Sequence, residues 1–158
     1  MAQELNQPLT KPFAMKTFKI CIVDDNEYFL RLFEGRIERH LYNLELSSNH
    51  KFELLSFLSL EEFFRKLPSN PDLIFLDYQL GDGRTAADAI RALDLKHRLP
   101  SIALVTEHHK LDMLKENDLK KVISFIRKDN YLIPKSCLLI EELVSGNNNN
   151  VNGNYGIA

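Results

Sequence analysis

The stretch Asp72-Leu73-Ile74-Phe75-Leu76-Asp77-Tyr78-Gln79-Leu80-Gly81-Asp82-Gly83 decides how the rest of the chain is read. Four apolar residues, Leu73 to Leu76, run unbroken into a carboxylate, and a loop with Gly81, Asp82 and Gly83 follows at once. A short apolar run bounded by turn residues suits a strand covered on both faces, although a buried helix can look the same. Pro71 and Gly81 leave no room for a helix, so the run reads as strand. Asp77 then stands at the strand's carboxyl end, where open parallel sheets build their sites.

Upstream, Lys19-Ile20-Cys21-Ile22-Val23 is a second unbroken apolar run, and it too ends in acid, at Asp24 and Asp25. From Asn26 the period changes. Phe29, Leu30, Phe33, Ile37, Leu41 and Leu44 recur at three- and four-residue steps, one face of a long amphipathic helix. Residues 47–50 read as a polar loop and residues 52–57 as another strand. Ser59-Leu60-Glu61-Glu62 is a capping box that opens a short helix closed by Pro68. Residues 1–16, with Pro8 and Pro12 among polar neighbours, read as a loose arm.

Downstream, Thr85-Ala86-Ala87-Asp88 is a second such box, and its helix keeps Ala86, Ile90 and Leu93 on one side. Ser101 to Val105 forms a fourth strand ending at Thr106, and a polar helix is expected across roughly residues 109–117. Residues 122–126 make a fifth strand with Arg127 and Lys128 just past it. Pro134 suits the first turn of a last helix, apolar at Leu138, Leu139, Ile140 and Leu143 and stopped by Gly146. The tail, 146–158, is asparagine-rich and has too little to bury, so disorder is expected there.

Strand and helix thus alternate five times over residues 17–145, in a single domain of ordinary size. The alternation argues a doubly wound, five-stranded parallel sheet with helices on both faces and right-handed crossovers. An order 2-1-3-4-5 would set strands 1 and 3 side by side where the winding reverses. Asp24, Asp25 and Asp77 would converge there, flanked by Thr106 and Lys128.

Composition narrows the classes. A net charge of −2 favours neither nucleic acid nor an anionic membrane as partner. The two cysteines, Cys21 and Cys137, lack metal-type spacing and lie in apolar segments, as small buried hydrophobes do. No apolar run approaches membrane-spanning length and the N-terminus lacks a signal-peptide centre, so a cytoplasmic location is expected.

Three carboxylates in one crevice repel one another and invite protonation or a cation. Magnesium suits them, because it takes a few carboxylates, keeps waters and leaves room for a phosphate oxygen. An aspartate beside such an ion can act as a nucleophile toward phosphorus. Phosphoryl transfer then needs positioning and charge neutralisation, which the metal and Lys128 supply, with the Thr106 hydroxyl as a hydrogen-bond donor. Each piece has a bland reading: adjacent aspartates as a loop cap, Asp77 as an Asx-turn opener, Thr106 as a strand end, Lys128 as a surface charge. Their coincidence at four of the five strand ends carries the functional reading.

These residues, Val23-Asp24-Asp25, Leu76-Asp77 with Leu80-Gly81-Asp82-Gly83, Thr106 and Lys128, resemble the receiver domain of two-component response regulators. The resemblance covers roughly residues 16–144 and implies a flavodoxin-like, CheY-like fold. It implies Asp77 as phosphoacceptor and Asp24, Asp25 and Asp77 as magnesium ligands, joined by the backbone carbonyl of Gln79. Thr106 becomes the switch hydroxyl, Lys128 the phosphate's cationic partner, and Phe125 the aromatic that changes rotamer, although Phe125 reads equally well as a core side chain. The implied partners are a histidine kinase or histidine phosphotransfer protein and a downstream protein target. That target reads the face of the fourth helix, fifth strand and last helix. A weak homodimer also fits the resemblance. With only a short tail after the last helix, a stand-alone module is expected.

Three features depart from the pattern. Glu107 follows the switch hydroxyl where family members have a small residue, and it acts as an access modifier by bulk and repulsion. Asp129 follows the lysine in place of a proline in a cis bond, so a trans bond is expected. Residues 26–52 are longer than the norm, as if by a surface insertion. Glu107 and Asp129 motivate an alternative, a pseudo-receiver that binds partners without phosphorylation. A magnesium-dependent phosphohydrolase fares worse, because Gln79 stands where a general acid is needed. A nucleotide site lacks its Gly-rich loop after the first strand.

Overall fold

A computed structural model describes residues 15–67, 70–81, 83–95, 99–107 and 114–146. The elements are β1 (Lys16–Val23), α1 (Glu27–Ser47), β2 (His50–Phe57), α2 (Leu60–Lys66), β3 (Leu73–Asp77), β4 (Gln79–Leu80), β5 (Arg84–Thr85), α3 (Ala86–Asp94), β6 (Ser101–Thr106), α4 (Glu116–Leu119), β7 (Val122–Arg127) and α5 (Leu132–Val144). The main sheet runs β2-β1-β3-β6-β7, all parallel, which is the expected winding. β3 is buried at every residue because helices cover both of its faces.

Two apolar layers sandwich the sheet. On one side Leu30, Phe33, Ile37 and Leu41 of α1 and Leu139 and Ile140 of α5 meet Ile20, Ile22, Phe75 and Val105. Phe33 stands edge-on to Phe75 at 5.3 Å between ring centres, a favoured aromatic arrangement. On the other side Leu60 and Phe63 of α2 and Ala86, Ala89, Ile90 and Leu93 of α3 cover Val23, Ile74, Leu76 and Leu104. The Thr85 box forms, its amide donating to the Asp88 carboxylate at 2.9 Å. At Ser59 only the cap half does: Ser59 Oγ accepts from the Glu62 amide at 3.1 Å, and the Glu62 carboxylate accepts from the Leu58 amide instead, at 3.4 Å.

The structure redraws several boundaries. The expected loop at 47–50 shrinks to Ser48 and Asn49, because α1 continues through Ser47 and β2 starts at His50. The extra length between Asn26 and Phe52 is therefore helix rather than insertion loop. α1 also reaches the open edge of the sheet, where Glu45 Oε1 accepts from the Phe52 amide at 2.8 Å and Glu34 Oε1 accepts from Ser56 Oγ at 2.5 Å. The ribbon of β4 and β5, an antiparallel pair around the Gly81–Gly83 turn, was unanticipated. Gly83 carries φ +71° in that turn, a conformation that disfavours a side chain. The helix expected over 109–117 is described only as the short α4, and residues 108–113 lie outside the described residues. So do the arm at 1–14, Pro68, Asp82, and the tail from 147 onward. Every described peptide bond is trans, including the one before Asp129.

Candidate functional site

β1 and β3 lie side by side with Val23 in register with Leu76, so the residue after each apolar run emerges at the same rim. Asp24 and Asp77 are almost fully buried, whereas Asp25 is exposed. One oxygen from each of the three carboxylates lies within 4.8 Å of the other two. Asn26 caps α1, its side chain accepting from the Phe29 amide at 3.1 Å, and its own amide donates to Asp24 Oδ1 at 2.9 Å. The turn into the helix thereby fixes the first acid. Gly81 lets the β4–β5 turn approach the second: a Cβ there would stand 3.1 Å from Asp25 Oδ2.

Lys128 comes from the far strand. Its amide donates to the Thr106 carbonyl at 2.9 Å, continuing the β6–β7 pairing past its last register pair. Its ammonium reaches Asp24 Oδ2 at 2.6 Å and Asp77 Oδ1 at 3.2 Å. The Phe29 ring lies 4.2 Å from that nitrogen and adds cation–π attraction. Asp25, Asn26, Asp77, Gln79, Thr106, Glu107 and Lys128 line one open cavity of about 200 Å³.

Burial pushes the Asp77 carboxyl up to about 6, Lys128 opposes this, and Asp24 and Asp25 add to it by repulsion. Lys128 is desolvated, yet its two carboxylate partners hold its pKa above the ordinary lysine value. One ammonium among three carboxylates leaves the rim short of positive charge. The donors are hard oxygens, the chemistry a magnesium ion prefers over softer metals. Asp24, Asp25 and Asp77 therefore fit such an ion, with Gln79 lining the same cavity.

The structure thus brings together Asp24, Asp25, Asp77, Gln79, Thr106, Glu107 and Lys128. Phe125 stands apart: it is half-buried on β7, level with Leu104, and packs into the layer under α2 and α3. Sequence reading missed Asn26 and Phe29 as parts of the rim. Asn26 carried a readable signal, an N-cap type before an amphipathic helix. Phe29 carried none, since a core aromatic at helical spacing looks identical.

No protein-family profile matches the chain, and no curated protein sequence does. Solved structures do. A response regulator receiver domain protein from Clostridium thermocellum superposes with a TM-score of 0.62 at 17% identity, covering 83% of this chain and 97% of that one. The response regulator TrrA of Thermotoga maritima, in complex with Mg(2+)-BeF, gives 0.60 at 18% identity over 80% of this chain and 98% of its own. The signal receiver domain of a LuxO repressor protein from Vibrio parahaemolyticus gives 0.60 at 17% identity, with 87% and 99% covered. The chain has the receiver-domain fold. Among the described residues, no helix is long and apolar enough to cross a membrane.

Proposed function

We propose that the chain is a phosphoryl-accepting receiver, with Asp77 as acceptor and a protein partner as its output. The observation that carries this reading is Lys128 bridging Asp24 and Asp77 beside three clustered carboxylates in one open cavity. An ammonium so placed suits neutralising an anion that arrives on Asp77.

Asp24, Asp25, Asp77 and the Gln79 carbonyl would hold magnesium, which supplies the positive charge that the carboxylates and an incoming phosphoryl group share. An Asp77 oxygen attacks phosphorus in line, a P–O bond to the aspartate forms, and the bond to the leaving group breaks with its electron pair. The donor is a histidine kinase or histidine phosphotransfer protein, whose leaving imidazole takes its proton from solvent. Lys128 shifts part of its pairing from the Asp77 carboxylate to the phosphoryl oxygens, and the Thr106 hydroxyl donates to another. Thr106 ends β6, so its movement draws on the segment toward α4 and on Phe125 beside Leu104. The resulting bias between two packings alters the α4, β7 and α5 surface read by the target.

Incubation with labelled acetyl phosphate tests this. Wild type with magnesium is expected to gain one acid-stable, base-labile phosphoryl group, lost in Asp77→Asn and on chelation. No adduct on Asp77 with magnesium present overturns the assignment. Glu107 on the cavity rim favours a second reading, a pseudo-receiver that binds its partner unphosphorylated. Equal affinity of wild type and Asp77→Asn for a captured partner, under phosphorylating conditions, would select it.

A further inference from the structure

Lys128 is held by partners of two kinds. Its ammonium bonds Asp24 Oδ2 at 2.6 Å and Asp77 Oδ1 at 3.2 Å, and it stands over the Phe29 ring, 4.2 Å from the ring centre. The two carboxylates are claimed twice, because they also belong to the acid cluster that fits a divalent cation. A benzene ring offers no oxygen, so a hard cation that suits the carboxylates has no use for it. An ammonium is attracted to an aromatic face within about 6 Å of its centre, most strongly where water is excluded. The Lys128 side chain is 8% exposed, so the contact lies largely out of water.

The ring is placed by the same turn that places the first acid. The Phe29 amide donates to the Asn26 side chain at 3.1 Å, and the Asn26 amide donates to Asp24 Oδ1 at 2.9 Å. One stretch of four residues thus sets both an anion and an aromatic face against Lys128. The ring also continues a stack into the core, 5.7 Å from Phe33 between centres, with Phe33 5.3 Å from Phe75. Phe75 lies on β3, two residues before Asp77. Packing alone asks only for an apolar side chain at this helical position, and Phe29 is no more than half-buried. The charge over its face is what asks for a ring.

We infer that Phe29 is a positioning residue for phosphoryl transfer, its ring face holding the Lys128 ammonium beside Asp77 while the carboxylates change partners. The inference deepens the receiver reading and rests on it. A ring face attracts a cation without fixing any one N–H direction, so the ammonium turns from the Asp77 carboxylate toward phosphoryl oxygens without giving this contact up. An aliphatic side chain fills the same space and leaves the ammonium to the carboxylates alone.

Two measurements test it. In urea unfolding of the metal-free chain, a double-mutant cycle of Phe29→Leu and Lys128→Met reads the coupling between ring and ammonium, expected at about fivefold in the folding equilibrium constant. The same curves show that each variant is folded. In labelling by acetyl phosphate with magnesium, Phe29→Leu is expected to slow phosphorylation about fivefold. Phe29→Tyr, which keeps the aromatic face, is expected to restore the rate to within about twofold of wild type. A cycle without coupling overturns the proposal, and so does a Phe29→Leu rate equal to that of wild type. A Phe29→Tyr rate as low as that of Phe29→Leu also overturns it, since the loss is then one of packing. Those results leave the receiver reading standing, whereas a wild type that gains no phosphoryl group removes that reading and this role together.

Discussion

The two faces of the sheet are covered differently. On one, α1 and α5 run 21 and 13 residues. On the other, α2, α3 and α4 run 7, 9 and 4. The first face is held by interlocked aromatic and aliphatic side chains. The second relies in part on ion pairs: Arg91 of α3 reaches Asp118 of α4 at 3.2 Å, and Lys121 binds Asp94. The chemistry is divided the same way. Asp24 and Asp25 lead into α1, and Lys128 leads toward α5 and rests over Phe29, so the fixed charges are anchored on the heavy face. Thr106 and Glu107 lead toward α4, on the lighter one. The proposed receiver, which would hold its charges still while a neighbour shifts, would be served by that asymmetry.

The contrast breaks first at the heavy face. Phe33→Ala is expected to cost about 4 kcal/mol in urea unfolding, because a fully buried ring against Phe75 leaves a cavity. A loss under about 2 kcal/mol would mean that this face is no better packed than the other.

Next comes the rim itself, in metal-free protein. The Asp77 carboxyl titrates near 6 when folded against 3.8 unfolded, so the folded chain holds this proton more tightly. Its contribution to stability is complete below about pH 4 and is lost as pH rises through about 6. Asp77→Asn removes the buried charge and is expected to stabilise the metal-free chain by about 2 kcal/mol at neutral pH, and by little near pH 4. Thermal melts at the two pH values check this, and a variant less stable than wild type at neutral pH would show the Lys128 pairing to outweigh burial.

The lighter face should yield smaller effects. Arg91→Ala leaves the buried Asp118 carboxylate without its guanidinium and is expected to cost about 1–2 kcal/mol, reduced by the exposure of Arg91 itself. Hydrogen exchange should rise around α4 and leave α1 unchanged; equal acceleration on both faces would dissolve the distinction. Ser59→Ala removes the α2 cap and is expected to cost about 1 kcal/mol at most, read in the same urea titration.

What the sequence disclosed follows from how local each signal is. Leu73 to Leu76 and Lys19 to Val23 announce buried strands, and the acids that end them are visible because the apolar runs stop there. The parallel winding followed from the alternation of periods, whereas the order 2-1-3-4-5 was one doubly wound arrangement that the alternation allowed. The helix expected over 109–117 was hard to bound because residues 109–119 mix charges with a few leucines, a pattern without a dominant face, and residues 108–113 lie outside the described residues. The placement of α4 rests on Arg91 and Asp94, partners remote in sequence. The β4–β5 ribbon was invisible because two residues per strand carry no period. The 47–50 loop was overdrawn because polar residues end a helix and fill a loop alike, and only the pairing of His50 with Lys16 separates the two. The meeting of Lys128 with Asp24, 104 positions apart, needed the topology first.

β2 is the edge strand of the sheet among the described residues, and an uncovered strand border is a template on which further chains can stack into fibrils. The Glu45 carboxylate on the Phe52 amide occupies one of the donors such growth would require, and the Glu34 hold on Ser56 places a second acid along the same border. The length of α1 therefore has a use apart from the chemistry at the rim: a helix ending a turn sooner would lack Glu45, and the sheet would lose a barrier that keeps it from extending beyond its own molecule.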